Sequence, residues 1–157
     1  MYCGNLGIPG KKQEEEVSNQ KLRGGNMILT SLSGIQSMEY PYPLEKDMDL
    51  SIMHEADNPY AKEGEPALKV MHEGHKIGYI PSLHTLKERV IEAKKRQDIN
   101  SYEYNMDKYR ATQSIRDEIM TDLFRNKSTF VPSKIYSVKT NPENGDVWSI
   151  VISLDYM

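Results

Sequence analysis

The chain has 157 residues, 38% hydrophobic and 27% charged, a length and balance that suit one domain with a modest core. Its formal net charge of −3 excludes a global positive field for coating nucleic acid, so any such contact has to be local, short and helped by stacking. The single cysteine, Cys3, excludes an internal disulfide framework and a cysteine-based zinc site.

Residues 1–26 are Gly-rich and charged, without apolar periodicity, and predict a flexible leader. Lys11, Lys12, Glu14, Glu15 and Glu16 stand where a secretory signal would carry its apolar region. No apolar run approaches the ~20 residues of a membrane helix, so a cytoplasmic location and no membrane partner are expected. The leader ends in Arg23-Gly24-Gly25-Asn26-Met27. Codons for Arg-Gly-Gly can spell AGGAGG, a bacterial ribosome-binding site, which predicts Met27 as the native start and 27–157 as the domain.

From Met27 the pattern is β. Met27 to Leu32 is an apolar and β-branched run that ends at Gly34. Pro41 and Pro43 stiffen an extended connection that carries Tyr40 and Tyr42. Met48, Leu50 and Ile52 alternate with Asp49 and Ser51 as a half-buried strand. Asp57-Asn58-Pro59-Tyr60 opens a loop that runs through Gly64 to Pro66. Ala67 to Met71 and Lys76 to Ile80 are strands joined by the tight turn His72-Glu73-Gly74-His75. Ser82 is a helix N-cap, followed by Leu83, Leu86, Val90 and Ile91 at helical spacing and by Lys94, Lys95 and Arg96 in the last turn. A second helix is predicted from about Met106 to Phe124. Val131 to Val138 and Val147 to Leu154 are strands around the loop Asn141–Asp146. This order predicts an α+β, mainly β chain: a small six-stranded barrel with two helices inserted before the last two strands.

Three stretches carry a family likeness. Leu50-Ser51-Ile52-Met53-His54-Glu55-Ala56-Asp57-Asn58-Pro59-Tyr60, then Ala67-Leu68-Lys69-Val70, then Gly74-His75-Lys76-Ile77-Gly78-Tyr79-Ile80-Pro81 resemble the HIRAN domain. That family shows a strand ending in an acidic residue, a D/N-N-P-Y-D turn, an A-I-x-V strand and a G-x-x-I-G-Y-I-P hairpin. The resemblance implies an OB-like β-barrel that binds single-stranded DNA or DNA ends, in DNA repair, replication or mobile-element biology. Members capture a 3′ end by stacking aromatic residues on terminal bases while an acidic turn residue reads the hydroxyl.

On that resemblance the ligand-facing residues are Asn58, Tyr60 and Tyr79, with Tyr40 or Tyr42 after the first strand. Each has a plainer reading: Asn58 makes a turn, and Tyr60 packs on the barrel. Gly78 allows close backbone approach or marks a bulge. Lys94, Lys95 and Arg96 are phosphate candidates, although cations favour a helix C-terminus anyway. Ala61 stands where the family commonly has the hydroxyl-reading aspartate, and its side chain neither donates nor accepts a hydrogen bond. His54, His72, His75 and His84 lack H-E-x-x-H spacing; the turn predicts two exposed histidines rather than a metal site, and no cofactor is expected. G-x-S-x-G, P-loop and G-x-G-x-x-G motifs are missing, so no enzyme is expected, and a nuclease is considered only because the family is often joined to one. The alternative is a protein-interaction adaptor, a phage or mobile-element factor acting on a host complex, which the acidic balance and Tyr102, Tyr104 and Tyr109 motivate.

Overall fold

The computed structural model describes residues 27–62 and 64–155; the leader expected at 1–26, with Cys3, lies outside them. Six strands form one curled antiparallel sheet, a half-barrel, in the order β1-β6-β5-β2-β3-β4. They are β1 (Met27–Ser31), β2 (Asp49–His54), β3 (Leu68–His72), β4 (His75–Tyr79), β5 (Val131–Thr140) and β6 (Val147–Asp155). The two helices lie between β4 and β5, as the chain order predicts.

Period-two patterning decides which face is core. Leu50 and Ile52 of β2, Leu68 and Val70 of β3, and Ile150, Ile152 and Leu154 of β6 are buried, whereas their neighbours are exposed or half-exposed. Most of these side chains are β-branched, which suits a pleated surface.

Bulges bend the sheet. The ladder shifts register where Val70 pairs with Gly78 but Met71 pairs with Lys76, leaving Ile77 as the extra residue of β4. Further shifts leave Tyr136 extra on β5 and Trp148 extra on β6. Each bulge raises local twist and curls its strand. The result brings the sheet's two edges together at one point. Ser33, just past β1, donates from its N–H to the Tyr79 carbonyl at 2.9 Å, and the Tyr79 N–H donates back at 3.0 Å. Gly78 is needed there, because a Cβ on it would meet Leu32 Cβ and Cδ1 at 3.1 Å and Ile35 Cγ2 at 3.2 Å. The β3–β4 turn places Glu73 (φ 48) and Gly74 (φ 87) in left-handed conformation, the geometry of a type I′ hairpin.

Helix α1 (Leu83–Lys95) starts at Ser82, whose Oγ accepts from the His84 N–H at 3.1 Å. Glu65 reinforces that end by accepting from Ser82 Oγ at 3.0 Å and from the Leu83 N–H at 2.8 Å. Helix α2 (Ile99–Met120) begins well before the expected Met106. Gln97 turns the chain at φ 59, and Asp98 then accepts from the Ser101 N–H at 3.1 Å as the N-cap. The first turns of α2 are held by this cap and by packing on α1, not by an apolar stripe of their own. A π-helical turn, Thr121–Arg125, follows and sends Leu123 into the core beside Ile115 and Ile119.

Arg116 fastens α2 to the sheet. It is 3% exposed, and its guanidinium donates to the carbonyls of Pro81 at 3.0 Å and Pro66 at 2.5 Å. Burial lowers its pKa and the nearby Glu65 carboxylate raises it, with burial the larger effect.

Two stability changes follow. Gly78→Val should lower stability by about 1–3 kcal/mol through overpacking against Leu32 and Ile35, read by urea unfolding. Arg116→Leu keeps the bulk but takes the donor away from the half-buried Pro66 and Pro81 carbonyls, and should cost about 1–3 kcal/mol by the same measurement.

Candidate functional site

The strand register assembles one outward-facing platform. Met53, Lys69 and Tyr79 form one row across β2, β3 and β4, and Ser51, Met71 and Lys76 form the next. All six alternate with core residues and are half-buried. Glu55 continues β2 in the same outward phase, with its N–H donating to the Ala67 carbonyl at 2.9 Å.

Four side chains lock together on this platform. Glu55 Oε1 accepts from the Tyr79 hydroxyl at 2.6 Å and from Asn58 Nδ2 at 2.8 Å. Its Oε2 lies 2.6 Å from Lys76 Nζ, which also donates to the Tyr79 hydroxyl at 2.7 Å and sits 4.9 Å from the Tyr79 ring centre. Burial pushes the Glu55 carboxyl up, but the hydrogen bonds from Lys76, Tyr79 and Asn58 together outweigh it and hold the group at about 2. Its hydrogen bonds to Glu55 and to the Tyr79 hydroxyl raise Lys76 above its ordinary value. At neutral pH the carboxylate therefore carries no proton to give, and it serves as an anchor for the three donors around it.

Asn58 passes this order to the loop. Its Oδ1 accepts from the Tyr60 N–H at 2.7 Å, an Asx-turn bond that fixes backbone without a helix or ladder. Tyr60 then stands at the rim with its ring in solvent, 85% exposed. Ala61 beside it is also exposed.

The other sequence candidates lie elsewhere. The Tyr40 hydroxyl donates to the Ile77 carbonyl at 2.8 Å, its ring packs on the core, and burial pushes its pKa up to about 12. The Tyr42 hydroxyl bonds His72 Nδ1 and, at 3.2 Å, the His72 carbonyl. Its ring meets those of His72 and His75 edge-on, with centroids 5.2 and 5.6 Å away. His72 alternates with the outward Met71, so both tyrosines occupy the core side of the hairpin, opposite Tyr79. This corrects the expectation of two exposed histidines: His75 is exposed, but the His72 side chain is only 11% exposed because Tyr42 covers it. Lys94, Lys95 and Arg96 are exposed at the far end of α1, roughly 18 Å from Ser82 at the rise of an α-helix. Arg96 faces Asp98 at 3.9 Å. These cations are not brought to the Tyr79 cluster.

Glu55, Lys76 and Lys69 were not singled out by the sequence. Alternation from Ile52 puts Glu55 in phase with Met53, which was the available signal; its meeting with Lys76 depends on pairing across β3. Among the described residues, no group of three or more His, Cys, Asp or Glu could hold a metal ion, and no helix is long and apolar enough to cross a membrane. No protein-family model, curated protein or solved structure matches the chain.

The Glu55 cluster makes stability pH-dependent in a definite direction. The folded carboxyl titrates at about 2 against an ordinary 4.5, so between those values the unfolded chain binds more protons. Stability from this group is complete above about 4.5 and is lost as pH falls toward about 2. Glu55→Gln should cost about 1–3 kcal/mol at pH 7 by leaving Lys76 without its counter-charge. Urea unfolding from pH 7 to pH 2 should show the two proteins converging at the acid end.

Proposed function

We propose that the outward face of β2, β3 and β4 binds single-stranded nucleic acid, with Tyr60 as its exposed stacking residue. The observation that carries this reading is the state of Tyr60: its ring is 85% exposed while its backbone is pinned through Asn58 to the Glu55 cluster. An aromatic ring held out in water on a fixed base loses little entropy on stacking, and a stacked base is worth about 1–3 kcal/mol. Met53 and Met71 offer apolar surface on the outward face of the strands, and Lys69 in the same rows offers a phosphate contact. Lys76 is neutralised by Glu55, so few phosphates are engaged and affinity falls gently with salt.

The HIRAN resemblance supports the same face, since its three stretches supply the strands that build it, and it extends the half-barrel to an OB-like barrel. Ala61 removes the side chain that would read a terminal hydroxyl, so the proposed grip is along a strand and not on its 3′ end. A labelled oligothymidylate should bind at micromolar concentration in low salt, equally well with a free or a blocked 3′-hydroxyl, by fluorescence anisotropy. Tyr60→Ala should weaken binding roughly 5- to 100-fold. Absence of binding at high micromolar protein would overturn the proposal.

A second reading, a protein-interaction adaptor, is favoured by the exposure of Ile91 (45%), Ile99 (67%) and Tyr104 (48%) on the helical pair. Nuclease-resistant recovery of one defined partner, abolished by Ile99→Asp, would select it over the first.

A further inference from the structure

The outward face continues past β2 onto β5 and β6. Asp49 pairs with Lys134, and Lys134 with Ser153, in one row. Two of the three bulges lie on this side, with Tyr136 and Trp148 as their extra residues. An extra residue in a ladder has no partner opposite it, which lets its side chain be re-aimed. Trp148 takes that freedom outward. Its neighbours Val147 and Ile150 pack on or in the core, while the indole is 61% exposed. A lysine lies against each ring: Lys139 Nζ is 5.5 Å from the Trp148 ring centre, and Lys46 Nζ is 5.7 Å from that of Tyr136.

Indole is the largest apolar surface a residue can expose, and folding leaves this one uncovered beside positive charge. A cation over a ring already occupies the place that a ligand ammonium would take. What fits is a molecule with a flat face for the ring and negative charge for the lysine. Bases on a phosphate chain have both, in alternation.

We propose that Trp148 and Tyr136, with Lys139 and Lys46, form a second stacking station for the same single strand that meets Tyr60. This rests on the nucleic-acid reading of the outward face. Between the level of Glu55 and that of Trp148 the path runs down β2 and on along β5, on the order of 30 Å at about 3.3 Å per residue. A tetranucleotide would reach one station, whereas roughly twelve nucleotides, within the range of one small barrel, would reach both.

Trp148 is the sole tryptophan of the sequence, so its emission reports this station alone. The full chain would be titrated with four- and twelve-residue oligothymidylates, following tryptophan emission and, in parallel, the anisotropy of end-labelled strands. The longer strand should quench the emission with the midpoint that anisotropy gives. Trp148→Ala should weaken the longer strand roughly 5- to 100-fold and the shorter one much less. Binding by anisotropy with unchanged emission and an unaffected Trp148→Ala variant would overturn the station and leave the Tyr60 face standing. Equal quenching by inorganic polyphosphate would overturn it too, because charge alone would then suffice. No binding by anisotropy would remove the face and the station together.

Discussion

One pair of backbone hydrogen bonds, exchanged between Ser33 and Tyr79, joins the two edges of the sheet, and the platform is arranged around it. Edge strands with free N–H and C=O groups invite pairing with other chains; here the first and last strands of the order satisfy each other where they meet. Tyr79 serves that closure with its backbone and the platform with its side chain. Its hydroxyl is shared among Glu55, Lys76 and Asn58. Its ring lies under Gly34, where a Cβ would come within 3.1 Å of Cδ2 and where φ is +74. Tyr79 therefore links the closure of the sheet to the order of the loop, and Tyr60 is tied to it through Asn58 and Glu55.

Much of the architecture was legible because local chemistry agreed with it. Alternation at Leu50 and Ile52, the Glu73-Gly74 turn and the Ser82 cap each specify their element within a few residues. The start of α2 was not legible, since residues 99–105 gain their helicity from Asp98 and from packing on α1. The positions of the bulges were hidden as well, because they depend on where ladders slip, and slips are set by pairs distant in sequence.

The site divides along the same line. Asn58, Tyr60 and Tyr79 could be named from motif residues, whereas Glu55 and Lys76 meet only after β2, β3 and β4 have paired. Tyr40 and Tyr42 sit in a proline-stiffened connection that could cross either face of the hairpin, and nothing local records which. The net charge, an average over the chain, does not show that Lys69, Lys76, Lys134 and Lys139 share the outward face with Asp49 and Glu55.

The pairing of β1 with β6, Met27 opposite Asp155, has a consequence for how the molecule comes into being. The first strand has its neighbour in the last, so on a ribosome it must wait until nearly all the described chain has emerged. The β2–β3–β4 meander and the helical hairpin can form meanwhile from near neighbours. Such long-range closure slows folding and leaves β1 without its partner during synthesis. The outward face of β2, β3 and β4 can thus take shape early, while β1 finds its place only once β6 has emerged.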